Sequence, residues 1–182
     1  MDVVTGIREF TRRLSAMPGS DIVEEGNSMR RKDKQIFDIK VLHSVINNAA
    51  VCRIGLVKED RPYVIPLSFG FDGRNIYFHS ARSGEKVEIL KVNNHVCVEF
   101  EQDISIIEDE KPCDWSARYL TVVVHGTAEL VDELVEKKYG LGQIVKHYKA
   151  GGEKYPFTDE EIKPVLVYKV IVEEIVGKIS GM

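Results

Sequence analysis

The 182-residue sequence predicts a mainly β fold with accessory helices, an antiparallel barrel rather than a doubly wound parallel sheet. Two observations carry this. Short β-branched and aromatic runs follow one another directly, separated only by KED and DGR. Asp72-Gly73 between two such runs has the composition of a tight hairpin turn, which joins antiparallel neighbours.

The elements follow in order. Val3, Val4, Ile7, Phe10 and Leu14 recur near helical spacing before Pro18-Gly19, so residues 1–28 read as an amphipathic helix and a polar linker. The main domain is expected over residues 29–182. Residues 33–48 predict a helix capped by Asp33, with Ile36, Ile39, Leu42, Val45 and Ile46 as its apolar stripe. AVCRIGLV, RPYVIPLSFGF and NIYFHS then read as three strands. SGEKVEILKVNN returns to helical spacing, and HVCVEFE is a strand. After a polar stretch, residues 103–117, come a long strand (RYLTVVVHGTAELV), a helix (DELVEKKYGLGQIVKHY) and a last strand (PVLVYKVIVEEIVG). The order is α-β-β-β-α-β-β-α-β.

Composition narrows the function. Hydrophobic residues are 43% and charged residues 30%, ordinary for a globular domain with a sizeable core. A net charge of −4 argues against a nucleic-acid partner, whose phosphates an acidic surface repels. No run approaches the ~20 apolar residues of a membrane span, and the N-terminus lacks a secretory signature, so a cytoplasmic location is expected. Cys52 and Cys97 fall inside apolar runs and read as buried small hydrophobes; Cys113 lies in a polar stretch. Histidine and cysteine spacings match no zinc pattern, so no metal site is expected.

The chemistry concentrates in residues 65–86, IPLSFGFDGRNIYFHSARSGEK. A strand ends at His79-Ser80, a small-residue turn follows, and a helix starts near Glu85-Lys86. Helix N-termini present unpaired N–H groups and a positive dipole end. Ser80, Ser83, Arg82 and Lys86 surround this one with donors and positive charge, which suits a phosphate. A serine followed by glycine and lysine also often does no more than start a helix. His95 and His125, flanked by valines, read as core or barrel-wall histidines; His43 reads as a boundary residue and His147, in KHYK, as solvent-exposed.

PLSFGFDGRNIYFHSARSGEK, VEILKVNNHVCVEFE, YLTVVVHGTAELV and IVEEIVGKISG, in that order, resemble the FMN-binding split β-barrel proteins related to pyridoxamine 5'-phosphate oxidase. The nitroimidazole-resistance-like branch is the nearest in pattern, and the resemblance spans about residues 29–181. It implies FMN as cofactor, with Val64, Ile65, Pro66, Leu67 and Ser68 along the flavin ring. On the phosphate side it implies His79, Ser80, Ala81, Arg82 and Lys86. Trp115, Arg118 and Tyr119 are implied near the flavin, from the same or a second chain; Trp115 is equally read as an apolar anchor at a dimer interface. His79 matches a histidine of that branch near the flavin pocket. Cofactor contact is the favoured role for it, with proton donation in catalysis as the alternative.

The resemblance further implies a homodimer and an FMN-dependent oxidoreductase acting on a small-molecule substrate such as a nitro compound or a quinone. The other reading is a non-catalytic protein that stores or senses FMN, or heme, which some relatives bind. The chain ends in EEIVGKISGM, without the arginine-rich segment of true pyridoxamine 5'-phosphate oxidases, so vitamin B6 oxidation is not expected.

Overall fold

A computed structural model describes residues 30–149 and 155–181. The expected helix and linker of residues 1–28 lie outside the described residues.

Among the described residues, eight strands form one antiparallel sheet: β1 (Gln35–Ile36), β2 (Cys52–Lys58), β3 (Arg61–Leu67), β4 (Phe69–Phe71), β5 (Asn75–Ser80), β6 (His95–Ile107), β7 (Ser116–Leu130) and β8 (Leu166–Ser180). The order across the sheet is β3-β2-β6-β7-β8-β5-β4, with β1 paired to the end of β8. The first and last strands of that path, β3 and β4, are joined through Ser68 alone. A sheet whose two edges are one residue apart in the chain must curl back on itself. No hydrogen-bond ladder joins those edges, so the curl is a half-barrel, split along the β3/β4 seam.

Alternation decides what the curl encloses. On β2, Cys52, Ile54 and Leu56 point inward; on β6, Val96, Val98 and Phe100; on β7, Leu120, Val122 and Val124, all buried. Phe69, Ile76, Phe78, Tyr168 and Val170 complete this core, and α1 (Ile39–Asn48) adds Leu42, Val45 and Ile46. The second helix, α2 (Glu85–Val92), contributes Ile89 and Leu90. A smaller cluster of Tyr77, Val131, Leu141, Ile144, Ile162 and Val167 lies under α3 (Leu134–Tyr148) and the short α4 (Asp159–Ile162).

Several expectations need correction. The predicted helix of residues 33–48 is a 3₁₀ turn (Lys32–Lys34), a two-residue strand and a helix beginning at Ile39. Its cap is Asp38, whose carboxylate accepts from the Lys40 N–H, while Asp33 pairs with Arg31 at 2.7 Å. Periodicity could not separate the two, because Ile36 satisfies a strand face and a helix stripe alike. The run RPYVIPLSFGF is two strands, broken at Ser68 where the chain passes from one sheet edge to the other. Much of the polar stretch 103–117 is strand: β6 continues to Ile107 and β7 begins at Ser116, with a register shift between Gln102 and Ser105 where Asp103 takes φ 57°. A bulge lets the hairpin continue past residues of low strand propensity. Helix α4, with a Thr158/Glu161 capping box, was not predicted.

The histidines and Cys97 also differ. His95 and His125 occupy strands but face outward and are exposed. Cys97 is half-buried on that same outward face. His147 is not a free surface residue: Nε2 lies 2.9 Å from the Ala49 carbonyl, and the ring packs 4.2 Å from Phe69. Together with the Tyr148 hydroxyl, which accepts from the Phe69 N–H at 3.2 Å, it fastens α3 to the β3/β4 seam.

Candidate functional site

The seam assembles two of the three predicted groups of residues. Among the described residues, strand β3 pairs only with β2, in the register Cys52↔Leu67, Ile54↔Ile65, Gly55↔Val64. Its other edge has no strand partner among the described residues, and an edge tolerates Pro62 and Pro66, which lack N–H donors. Ile65 and Leu67 turn toward the core. Val64, at 62% exposure, and Pro66 form part of an apolar outer surface, and Ser68 is exposed at the crossover.

Strand β5 brings the second group to the same place, since Phe69 pairs with Phe78. Ser80 is 8% exposed at the strand end, and Ala81, Arg82 and Ser83 make an open turn. Gly84 caps α2 at φ 131°, a conformation L-residues avoid, and no heavy atom lies within 4 Å of where its Cβ would stand. Lys86, in the first turn of α2, reaches back so that Nζ lies 5.3 Å from the Phe78 ring centroid. It is half-buried and makes no hydrogen bond or ion pair among the described residues. Burial lowers its pKa, offset in part by the Cys52 thiol on β2. The Cys52 thiol, pushed up to about 12 by burial, stays protonated and donates to the Leu67 carbonyl at 3.6 Å.

His79 stands beside this cation on the outward side of β5. Its surface is open to solvent, yet its ring is flanked closely enough that desolvation, with Lys86 second, lowers its pKa. Arg82 is turned elsewhere: its guanidinium donates to the Lys163 carbonyl before β8, at 2.5 Å.

The third group is remote. Leu166, at the start of β8, pairs with Ser80, whereas Ser180, at its end, pairs with Tyr119. Trp115 Nε1 donates to the Asp109 carbonyl at 2.9 Å, Arg118 Nε to Gly181 at 3.0 Å, and the Tyr119 hydroxyl accepts from Lys178 at 2.8 Å. That hydrogen bond lowers the Tyr119 pKa. Among the described residues, Trp115, Arg118 and Tyr119 make no hydrogen bond with the residues of the Lys86 turn.

Sequence reasoning missed Phe78 and Cys52 as neighbours of Lys86. The strand register that would reveal them depends on the β3-to-β4 crossover, for which Ser68 alone is a weak signal.

The residues fit a phosphate-bearing group: an uncompensated cation, a serine hydroxyl, an open glycine cap and a helix N-terminus lie together. Comparison with known proteins decides the family. The model for pyridoxamine 5'-phosphate oxidase matches residues 38–179. The chain belongs to this family. It is the FMN-binding split-barrel group, which commonly binds FMN or FAD and is known for oxidoreductase-like activity on small molecules, and it is related to the nitroimidazole-resistance-like branch. A candidate 5-nitroimidazole antibiotic resistance protein from Bacteroides thetaiotaomicron is 31% identical, over 79% of this chain and 85% of that one, with a TM-score of 0.71. The flavocytochrome Anf3 from Azotobacter vinelandii is 17% identical, covers 87% and 75% of the two chains and has a TM-score of 0.74. A FAD- and heme-binding protein from Mycobacterium smegmatis is 18% identical over 82% and 74%, also at 0.74. The last two share the fold with this chain. No curated protein matches it. Among the described residues, no helix is long and apolar enough to cross a membrane.

Proposed function

We propose that this chain is an FMN-dependent reductase of small acceptors, nitro compounds or quinones among them, and that it works as a cytoplasmic homodimer. The observation that carries the cofactor reading is the half-buried Lys86 ammonium, without an anionic partner among the described residues, at the N-terminus of α2. Holding a desolvated cation costs free energy that a bound phosphate recovers. Lys86 and Ser80 would hold the phosphate, with Ala81 and His79 lining its approach, and the free edge of β3 from Val64 to Ser68 would flank the ring. When bound, the flavin supplies the redox chemistry, and the chain orients it and limits water access.

The reading gives His79 a cofactor contact, and desolvation, with Lys86 second, lowers its pKa, which favours the neutral imidazole. The dimer reading is supported by placement. Trp115, Arg118 and Tyr119 lie toward the other end of β8 from its pairing with Ser80, which suits their delivery to the pocket by a second chain.

The test is the absorption spectrum of the purified protein, with release and identification of the chromophore. A yellow protein yielding FMN, bleached by a nicotinamide donor and recoloured by a nitro or quinone acceptor, supports the reading. A colourless protein that takes up no added FMN refutes it, and a flavin that binds without turnover leaves the storage or sensing role.

A further inference from the structure

The first turn of α2 carries two carboxylates, Glu85 and Glu88, which flank Lys86 in sequence. A helix N-terminus attracts its own acidic side chains as it attracts a ligand's oxygens, through the same unpaired N–H groups and dipole end. Left free, either carboxylate would compete with a phosphate for that end and repel it at close range. Neither is free. Glu88 Oε1 accepts from Lys91 Nζ at 2.8 Å, three residues on along the same helix. Glu85 Oε1 accepts from Lys58 Nζ at 3.2 Å, across 27 positions of chain, where β2 ends. Four charged residues, Lys58, Glu59, Asp60 and Arg61, make up the hairpin between β2 and β3, and among the described residues only Lys58 pairs with α2. Lys86 itself makes no ion pair among the described residues.

Resting on the reading of this turn as the phosphate site, we infer that Lys58 is a positioning residue for that phosphate. It holds the Glu85 carboxylate to the end of β2 and offsets its charge, so the helix end and Lys86 stay available to a dianion. An ion pair whose side chains are 58% and 50% exposed adds little to the fold, because water screens it. Its effect falls on a ligand that brings negative charge to the same turn. A flavin without a phosphate does not feel it. The Lys58–Glu85 pair therefore contributes to a preference for FMN over riboflavin.

The experiment is fluorescence titration of the full chain, freed of bound flavin, with FMN and with riboflavin. The wild type is expected to prefer FMN. Lys58→Ala should weaken FMN about three- to five-fold, the scale of one exposed charge contact, and leave riboflavin unchanged. That loss should shrink at high salt. Adding Glu85→Gln to Lys58→Ala should restore wild-type FMN affinity, because the competing charge is gone. A lysine that touched the phosphate itself, or served only the fold, would not be rescued in this way. Both side chains are exposed, so the replacements spare the core. A wild type that takes FMN no better than riboflavin overturns the phosphate reading of the turn, and the inference with it. A wild type that prefers FMN, with the same preference in Lys58→Ala, overturns the inference alone. So does a double variant as weak as Lys58→Ala.

Discussion

Lys86 and Phe78 stand as a cation over a ring, with Nζ 5.3 Å from the centroid and a lowered lysine pKa. A cation–π contact of this kind returns about 0.5–2 kcal/mol, less than an ammonium loses on leaving water. That shortfall is the ground for the proposal that this lysine receives an anion.

Replacing Lys86 with alanine should therefore weaken FMN binding about ten- to hundred-fold, the worth of one charge-assisted hydrogen bond, with little loss of melting temperature. Arg82→Ala alone should cost less, because Arg82 is turned toward Lys163. Affinity measured at several salt concentrations checks both, and the salt dependence should flatten in the lysine variant. Unchanged affinity in a double variant would put the phosphate elsewhere.

His79 supplies a pH signature. Desolvation and Lys86 hold its folded pKa below the unfolded value, so between the two the unfolded chain binds more protons. Stability then rises with pH through that window; acidification from neutral pH costs stability until the folded pKa is passed. A bound phosphate offsets the Lys86 charge and sets an anion beside the imidazole, which raises the His79 pKa and makes FMN binding take up protons as pH falls. Histidine resonances followed by NMR with and without FMN test this. A His79 pKa that falls on binding would place the phosphate beyond its reach. His79→Gln should retain flavin and lose turnover if the imidazole is the proton donor.

If Trp115, Arg118 and Tyr119 complete the pocket from a second chain, cofactor affinity and dimerisation are linked. The interface would exceed about 2,000 Å². Sedimentation of the apoprotein across a dilution series should show FMN uptake weakening as monomer accumulates. A monomer with full, concentration-independent affinity would contradict the shared site.

The cysteines should separate by burial. Cys52, at about 12 and enclosed, should resist alkylation of the native protein, while exposed Cys113 should react first. Mass spectrometry of the labelled sites gives the order, and Cys52 should label only after denaturation.

Gly70→Ala should lower the melting temperature by roughly 5 °C or more, from about 2–3 kcal/mol of overpacking. A Cβ there would stand 2.4 Å from the Gln143 carbonyl carbon and the Ile144 nitrogen, so the backbone of α3 has to move. Differential scanning calorimetry measures the shift.

By itself the sequence determined the antiparallel class, because period-2 runs around Asp72-Gly73 leave hairpins as the economical pairing. It also determined the anion-suited turn, since Ser80, Gly84 and Lys86 are local to one helix start. Tertiary structure alone decided the rest. Crossing through Ser68 joins the two sheet edges and brings Val64–Leu67 beside the α2 turn, a long-range event that no local pattern encodes. Packing turned His95 and His125 outward and drew His147 onto Phe69, because burial depends on which face of a strand or helix meets a neighbour. The length of β8 set Tyr119 far from Ser80, since a chain reports spacing along itself but not which ends of its strands meet.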